Sequence, residues 1–426
     1  MMKPTFKWLN KKQHEVIIEQ NFLSTLQAFR PDLELQKIKE VILDSDKYYS
    51  SYPDVYEAGV CAVDHYYNYG EKEGRAFCAP KILKKQATPQ LTEGKKVYIS
   101  DAQPDNGIFL YRVMFRMANE PDSLNVPYHS NITNLVAAIF SAREVVFIRP
   151  VHSDKNLYLY SLCYYLNVKI TFDIDDLMLP EYVDEKGGIR SGVDNYNMLR
   201  TDVILNSAAL IRANELTCTT KKIADAYRSS VKKCTVIKNK LPKSYFNDSR
   251  KATQNARTQN ELKLKILYLS GTATHLKDYS IISGVLTKLA QEYPGKFEID
   301  FMGQLKDQSL LFRSLNIAST HIRYEHFQKM LDIIRQHDVV LVPLENSEFN
   351  NAKSNIKFIE AASQCVPVIA STATEFVNSI SDNHDGWLCG NEQEWYDRLV
   401  YLIENPEITF DAGMNAYHHA FENFSL

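Results

Sequence analysis

The chain has 426 residues, 45% of them hydrophobic and 24% charged, with a formal net charge of −3. That length is too great for one ordinary core and implies two or three domains. The slightly acidic balance excludes general nucleic-acid binding, which needs a basic excess. Seven cysteines lie scattered without CxxC pairs or metal-ligand spacing, pointing to reduced thiols and a cytoplasmic setting rather than a disulfide framework. No apolar run approaches the roughly 20 residues of a membrane-spanning helix. The start, MMKPTFKWLNKKQ, has no signal-peptide core. Any membrane association is expected to be peripheral, at the inner face.

In chain order, residues 1–92 read as a small helical module centred on YYSSYPDVYEAGVCAVDHYYNYGEKEGRAF. Its tyrosines and His65 are expected as core amphipaths. Its aromatic density also suits a docking surface for a partner or a long glycan. From 93 to 242, short apolar runs at 97–100, 145–148, 169–172, 216–218 and 235–237 alternate with helical patterns and read as strands. Residues 243–261, which include KSYFNDSRKATQNARTQN, are nearly devoid of aliphatics and read as a linker or mobile loop. The alternation restarts over 262–426, with strands expected at 266–269, 299–302, 321–323, 339–342 and 366–370. Such alternation makes parallel sheets. The fold class is therefore α/β: two Rossmann-like domains facing a cleft, plus the helical module. Ligands in such sheets bind at the carboxyl ends of the strands.

Several post-strand stretches carry groups suited to binding. In KSNIKFIEAASQCVPVIAS, residues 353–371, Lys353, Ser354 and Asn355 lead a helical pattern that contains Glu360 and runs into a buried strand. A helix start of this kind offers N–H groups and a positive dipole end to an anion. Glu360 offers an acceptor for sugar hydroxyls, although an ordinary amphipathic helix before a core strand has the same composition. In SGTATHLKD, after the first strand of the second half, Gly271 permits close backbone approach, and Thr272 and Lys277 can hold phosphate oxygens.

In the first half, Asp173, Asp175 and Asp176 follow a strand in TFDIDDL. Crowded carboxylates are costly unless they face solvent, a cation or a substrate hydroxyl. A Mg²⁺ or Mn²⁺ site, an acceptor-binding or acid/base role, and a turn capping the next helix all fit. DAQPDNG, with Asn106 and Gly107, follows the first strand, and Arg112 comes about one helical turn later. That group suits an acceptor or a donor phosphate, as do Arg149 and His152 after another strand.

YLSGTATHLKD, HDVVLVPL and KSNIKFIEAASQCVPVIAS together resemble the C-terminal half of retaining glycosyltransferases of family 4, which have the GT-B fold. The likeness runs from about Lys95 to the C-terminus. It implies metal-independent transfer of a sugar, with retention, from a nucleotide-diphosphate donor to a glycan, glycolipid or glycoprotein acceptor. The KSNIK variant resembles a subgroup that builds bacterial capsule, O-antigen or other surface glycans. The resemblance implies ribose contact at Glu360, diphosphate contact at Lys277, Ser354 and Asn355, and base packing near Tyr324. Arg112, Asp173, Asp175 and Asp176 then stand on the catalytic and acceptor side. Two positions depart from the family pattern: its first helix-associated glutamate falls on Ala352, and a companion arginine falls on Thr272. Glu345 and Glu348 stand nearby as substitutes. Two other readings remain beside this one: a sugar-nucleotide epimerase or hydrolase, and a non-catalytic glycan-binding or scaffolding module, which Ala352 favours.

Overall fold

The computed structural model describes residues 22–81, 93–249, 263–270 and 276–426. It contains two six-stranded sheets. The first comprises β1 (Lys95–Ser100), β2 (Ser123–Pro127), β3 (Ala142–Ile148), β4 (Lys169–Ile174), β5 (Glu215–Cys218) and β6 (Cys234–Val236), in the order β2-β1-β3-β4-β5-β6. The second comprises β7 (Leu264–Ser270), β8 (Phe297–Gly303), β9 (His321–Ile322), β10 (Val339–Val342), β11 (Val368–Ser371) and β12 (Trp387–Cys389), in the order β12-β11-β10-β7-β8-β9. Neighbouring strands of the second sheet pair in parallel, as β1 does with β2 and β3, and β3 with β4.

Each strand run expected from the sequence is present. Two strands carried too little signal to be anticipated. β2, SLNVP, ends in proline and holds a polar Asn125, which an edge strand tolerates. β12, WLC, is only three residues long, too short for a readable period. β11 starts two residues into its apolar run because the Val366 N–H instead closes the preceding helix on Ala361 O, 3.1 Å away.

The chain separates into two compact units. One runs to Ile174 and takes in Leu205–Thr217 and Tyr227–Thr235; the other comprises Asp175–Ile204, Cys218–Ala226 and Val236–Leu426.

In the first unit, the described residues of the N-terminal module form five short α-helices (Phe22–Phe29, Leu35–Ile42, Ser45–Ser51, Pro53–Glu57 and Ala62–His65) and a π-helical turn (Tyr66–Gly70). His65 is a core partner, its Nδ1 lying 3.0 Å from the Tyr48 hydroxyl. Polar contacts fasten the module to the sheet region. Buried Arg30 donates to Leu166 O at 2.7 Å, and the Tyr158 hydroxyl donates to Val41 O at 3.1 Å. Glu71 accepts the Ile132 N–H at 2.6 Å and the Thr133 hydroxyl, capping the Ile132–Phe140 helix from outside its own sequence.

In the second unit, β10 and β11 are buried throughout, as strands covered on both faces must be. The Ile408–Phe424 helix crosses so closely that a Cβ at Gly413 would stand 2.1 Å from Cys365 O; only glycine fits there. Part of the stretch read as a linker is packed in this unit. Gln364 Nε2 donates to Tyr245 O, and the Asn247 N–H to Ser363 O, each at 2.8 Å. The rest of that stretch, 250–261, lies outside the described residues. Among the described residues no helix is long and apolar enough to cross a membrane.

Candidate functional site

In the second sheet, β7 forms first, the chain builds β8 and β9 on one side, and then returns to lay β10, β11 and β12 on the other. The two directions part between β7 and β10, and ligands of open α/β sheets bind outside the carboxyl ends at that point. The segments leaving there are the Leu276–Glu292 helix after β7 and the 343–355 stretch after β10. Asp278, in the first turn of that helix, ties them together. It is 4% exposed, and its Oδ1 accepts the Glu345 N–H and Asn350 Nδ2, each at 3.1 Å.

The Ile356–Ala362 helix completes the edge. Lys357 and Glu360 are three residues apart and share a face. Partly buried Lys357 donates from Nζ to Leu269 O, near the end of β7, at 2.9 Å. Burial pushes this ammonium down to about 8; Asp278 and Glu360 oppose that shift, and Lys353 adds to it. One lysine is thus held at the end of the central strand, within the field of two carboxylates and a second lysine. Glu360 itself is 8% exposed. Neither Lys357 nor Asp278 was singled out from the sequence. The signal for Lys357 was its three-residue spacing from Glu360, which marks one helical face.

The other expected donor residues are distributed as follows. Gly271 and Thr272 lie outside the described residues. Lys277 is exposed in the first turn of the Leu276–Glu292 helix. Lys353 is partly buried, with its ammonium 5.3 Å from the centre of the Phe349 ring. Ser354 accepts from Asn239 Nδ2 at 3.0 Å. Asn355, at the helix cap, donates from Nδ2 to Ser379 Oγ at 2.8 Å. Tyr324 follows the edge strand β9 and is 54% exposed.

The stretch around Ala352 is clamped. Ala352 is buried and its carbonyl accepts the Thr220 hydroxyl at 2.9 Å. Glu345 pairs with Arg190, and Glu348 with Lys222 at 2.9 Å. Both nearby glutamates are therefore engaged by side chains of this same unit.

In the first unit, β1 has β2 on one side and β3 on the other, so the 101–106 loop after β1 and the 149–153 loop after β3 leave at the equivalent place. Asn106 caps the turn that starts at Gly107, accepting the Ile108 N–H at 2.8 Å. A Cβ at Gly107 would meet nothing within 4 Å, so close approach does not demand glycine there. Arg149 adopts a positive φ of 46°, and its N–H donates to Asp173 O at 2.8 Å. His152 is held by its N–H on Leu205 O at 3.0 Å.

Arg112 and Asp173 do come together, but inside the protein. Their side chains are 1% and 0% exposed. Arg112 donates from Nε and Nη2 to the two carboxylate oxygens at 2.8 and 2.7 Å. Arg116 adds a bond at 2.7 Å and the Thr217 hydroxyl one at 2.5 Å. Burial alone would raise the Asp173 carboxyl, but Arg112, with Arg116 and Thr217, outweighs it and holds the carboxyl below its usual range. These are the marks of a structural ion pair that pins β4 to the 110–116 turn. Asp175 and Asp176 are partly buried in the following loop, where Asp175 O accepts the Thr219 hydroxyl at 3.0 Å. Among the described residues no group of three or more His, Cys, Asp or Glu side chains is placed to hold a metal ion.

Residues 263–405 match the family described as glycosyl transferases, group 1. Over that segment the chain is similar to group 1 glycosyltransferases. The matched segment contains Asp278, Lys353, Lys357 and Glu360. Three solved structures share the fold at low identity. Anabaena Alr3699/HepE, solved with UDP and glucose, is 13% identical, with a TM-score of 0.53 over 78% of this chain and 96% of its own. Sucrose-phosphate synthase from Thermosynechococcus elongatus is 13% identical, with a TM-score of 0.54 over 78% and 95%. A glycosyltransferase from Rickettsia africae is 13% identical, with a TM-score of 0.50 over 79% and 95%. The chain thus has the GT-B fold, with two Rossmann-like sheet regions. No curated protein matches the sequence.

Proposed function

We propose that the protein is a retaining glycosyltransferase. It takes a sugar from a nucleoside-diphosphate donor and passes it to a glycan or lipid-linked acceptor, on the cytoplasmic side, in bacterial surface-glycan synthesis. The observation that carries this reading is the position of Lys357 and Glu360 at the carboxyl edge of the second sheet, within the segment that matches group 1 glycosyltransferases. The complex of the Anabaena protein with UDP and glucose supports the choice of donor class.

Lys357, with Lys277 and Lys353, supplies positive charge for a leaving diphosphate, stabilised by preorganised groups rather than by a nucleophile of the protein. Glu360 accepts from the donor's ribose hydroxyls. Asp175 and Asp176 stand as the acceptor-side carboxylates of the aspartate run. Retention is assigned to attack on the same face as the leaving phosphate, as the resemblance to family 4 implies.

The test is binding of UDP-, GDP- and ADP-sugars by calorimetry, followed by product analysis with and without acceptor. Binding of at least one nucleotide sugar and its transfer are expected; binding to none would sink the reading. Conversion of the donor alone would indicate an epimerase. Glu360→Ala is expected to weaken nucleotide-sugar binding roughly tenfold or more, the loss of charge-assisted hydrogen bonds, and an unchanged affinity would refute the ribose role. Turnover is expected to survive EDTA. Its abolition, with restoration by Mg²⁺ or Mn²⁺, would instead assign a metal to the aspartate run.

A further inference from the structure

The first unit contains a cavity of about 400 Å³ walled jointly by the N-terminal module and the post-strand loops of the first sheet. The volume falls within the roughly 300–1,000 Å³ of small-molecule sites. From the module come Tyr66 and Phe77; from the sheet region come Asn131, Asp154, Lys155 and Tyr158. Asn131 follows β2 and Asp154 follows β3, so the floor lies at the carboxyl edge of the sheet, where ligands bind.

The chemistry of the walls narrows the ligand. Partly buried Phe77 packs against the buried rings of Tyr158 and Tyr66, with ring centroids 5.0 and 5.6 Å away, so Phe77 is the most accessible ring of an aromatic wall. Asn131 and Asp154 are exposed; Asn131, whose Oδ1 accepts the Asn134 N–H at 3.0 Å, offers its amide N–H groups at the rim, and Asp154 its carboxylate. The cation is spoken for: Lys155 Nζ donates to Tyr128 O at 2.8 Å and to Ser130 O at 3.2 Å. The Glu71 carboxylate is likewise committed to Ile132 and Thr133. With one engaged ammonium against two carboxylates, the cavity does not suit an anion. An aromatic wall facing hydrogen-bonding groups of mixed type suits a neutral ring that is apolar on its C–H face and polar at its edge.

We infer that this cavity binds a neutral saccharide ring, and that the N-terminal module is there to complete it. That the saccharide belongs to the acceptor rests on the glycosyltransferase reading above; that the cavity takes a saccharide does not.

The experiment is saturation-transfer NMR and calorimetry on the full chain, with glucose, galactose, N-acetylglucosamine and their β-linked disaccharides as probes, and with inorganic phosphate and UDP alongside. At least one saccharide is expected to bind. Phe77→Ala, which removes the centre of the aromatic wall, is expected to weaken it at least tenfold. Asp154→Ala, a rim change on an exposed residue, is expected to do the same, and UDP affinity should be unchanged in both. Saccharide binding that survives both substitutions would overturn the assignment. So would binding of phosphate without any saccharide, or UDP binding with no saccharide bound. Saccharide binding sensitive to both substitutions, with none of the UDP-, GDP- or ADP-sugars bound, would uphold the cavity and sink the donor reading alone.

Discussion

Arg112→Met is expected to cost about 3–5 kcal/mol of stability, because it leaves the Asp173 carboxylate buried without its main partner. The side chains are 1% and 0% exposed and joined by two parallel bonds; the penalty is that of an uncompensated charge, not merely of a lost contact. Denaturant unfolding should show a lowered midpoint. Asp173→Asn should show a similar fall, since two guanidinium groups then lose their anion. Replacing both Arg112 and Asp173 by apolar residues should recover part of the loss. A substrate-facing role predicts the opposite pattern, an unchanged midpoint with lost turnover. The pH dependence has a definite sign. The folded Asp173 carboxyl sits below its usual range, so its contribution is full above the ordinary carboxylate pKa. It is lost as pH falls through the folded value. The acid limb of the stability profile should therefore be shallower in the double variant.

Lys357→Met is expected to weaken nucleotide-sugar binding roughly 10- to 100-fold, the worth of one charge-assisted hydrogen bond at about 1.5–3 kcal/mol. The wild-type protein should also show a pH signature. Burial holds the Lys357 ammonium down to about 8, so it is charged below that pH and neutral above it. An anion beside it favours the charged form. Affinity for UDP should therefore be full below about pH 8 and fall as pH rises through it, and the variant should lack that step. A variant with wild-type affinity and the same pH step would remove Lys357 from the donor site. Stability moves the other way. Between about pH 8 and the ordinary lysine value, the unfolded chain keeps a proton that the folded chain has lost, so folding becomes more favourable as pH rises across that window.

Much of the scaffold was legible because strand and helix periods are local. Val339–Val342 was delimited by its apolar run alone, since a strand covered on both faces needs four consecutive apolar residues. Glu360 was likewise visible from its position in a helical pattern before such a strand. Lys357 was not, because nothing local distinguishes a solvated helix lysine from one whose ammonium reaches Leu269, 88 positions away. The aspartate run shows the same limit. From the sequence, Asp173 reads as open to chemistry, because three crowded carboxylates are costly to bury. The fold resolves that crowding by delivering two guanidinium groups, 61 and 57 positions away, to the first of them.

The module at the N-terminus was readable as helical and aromatic but not as the wall of a cavity, since Glu71 and Ile132 meet only across 61 positions. By itself, then, the sequence determined the α/β class and the two successive sheets, because each rests on spacing within a few residues, while the family likeness rests on the motifs of the second half. The tertiary structure alone decided which charges are neutralised inside, which lysine is desolvated at the sheet edge, and where a cavity opens. Burial and partnering set those properties, and both depend on residues that the chain brings together only once it has folded.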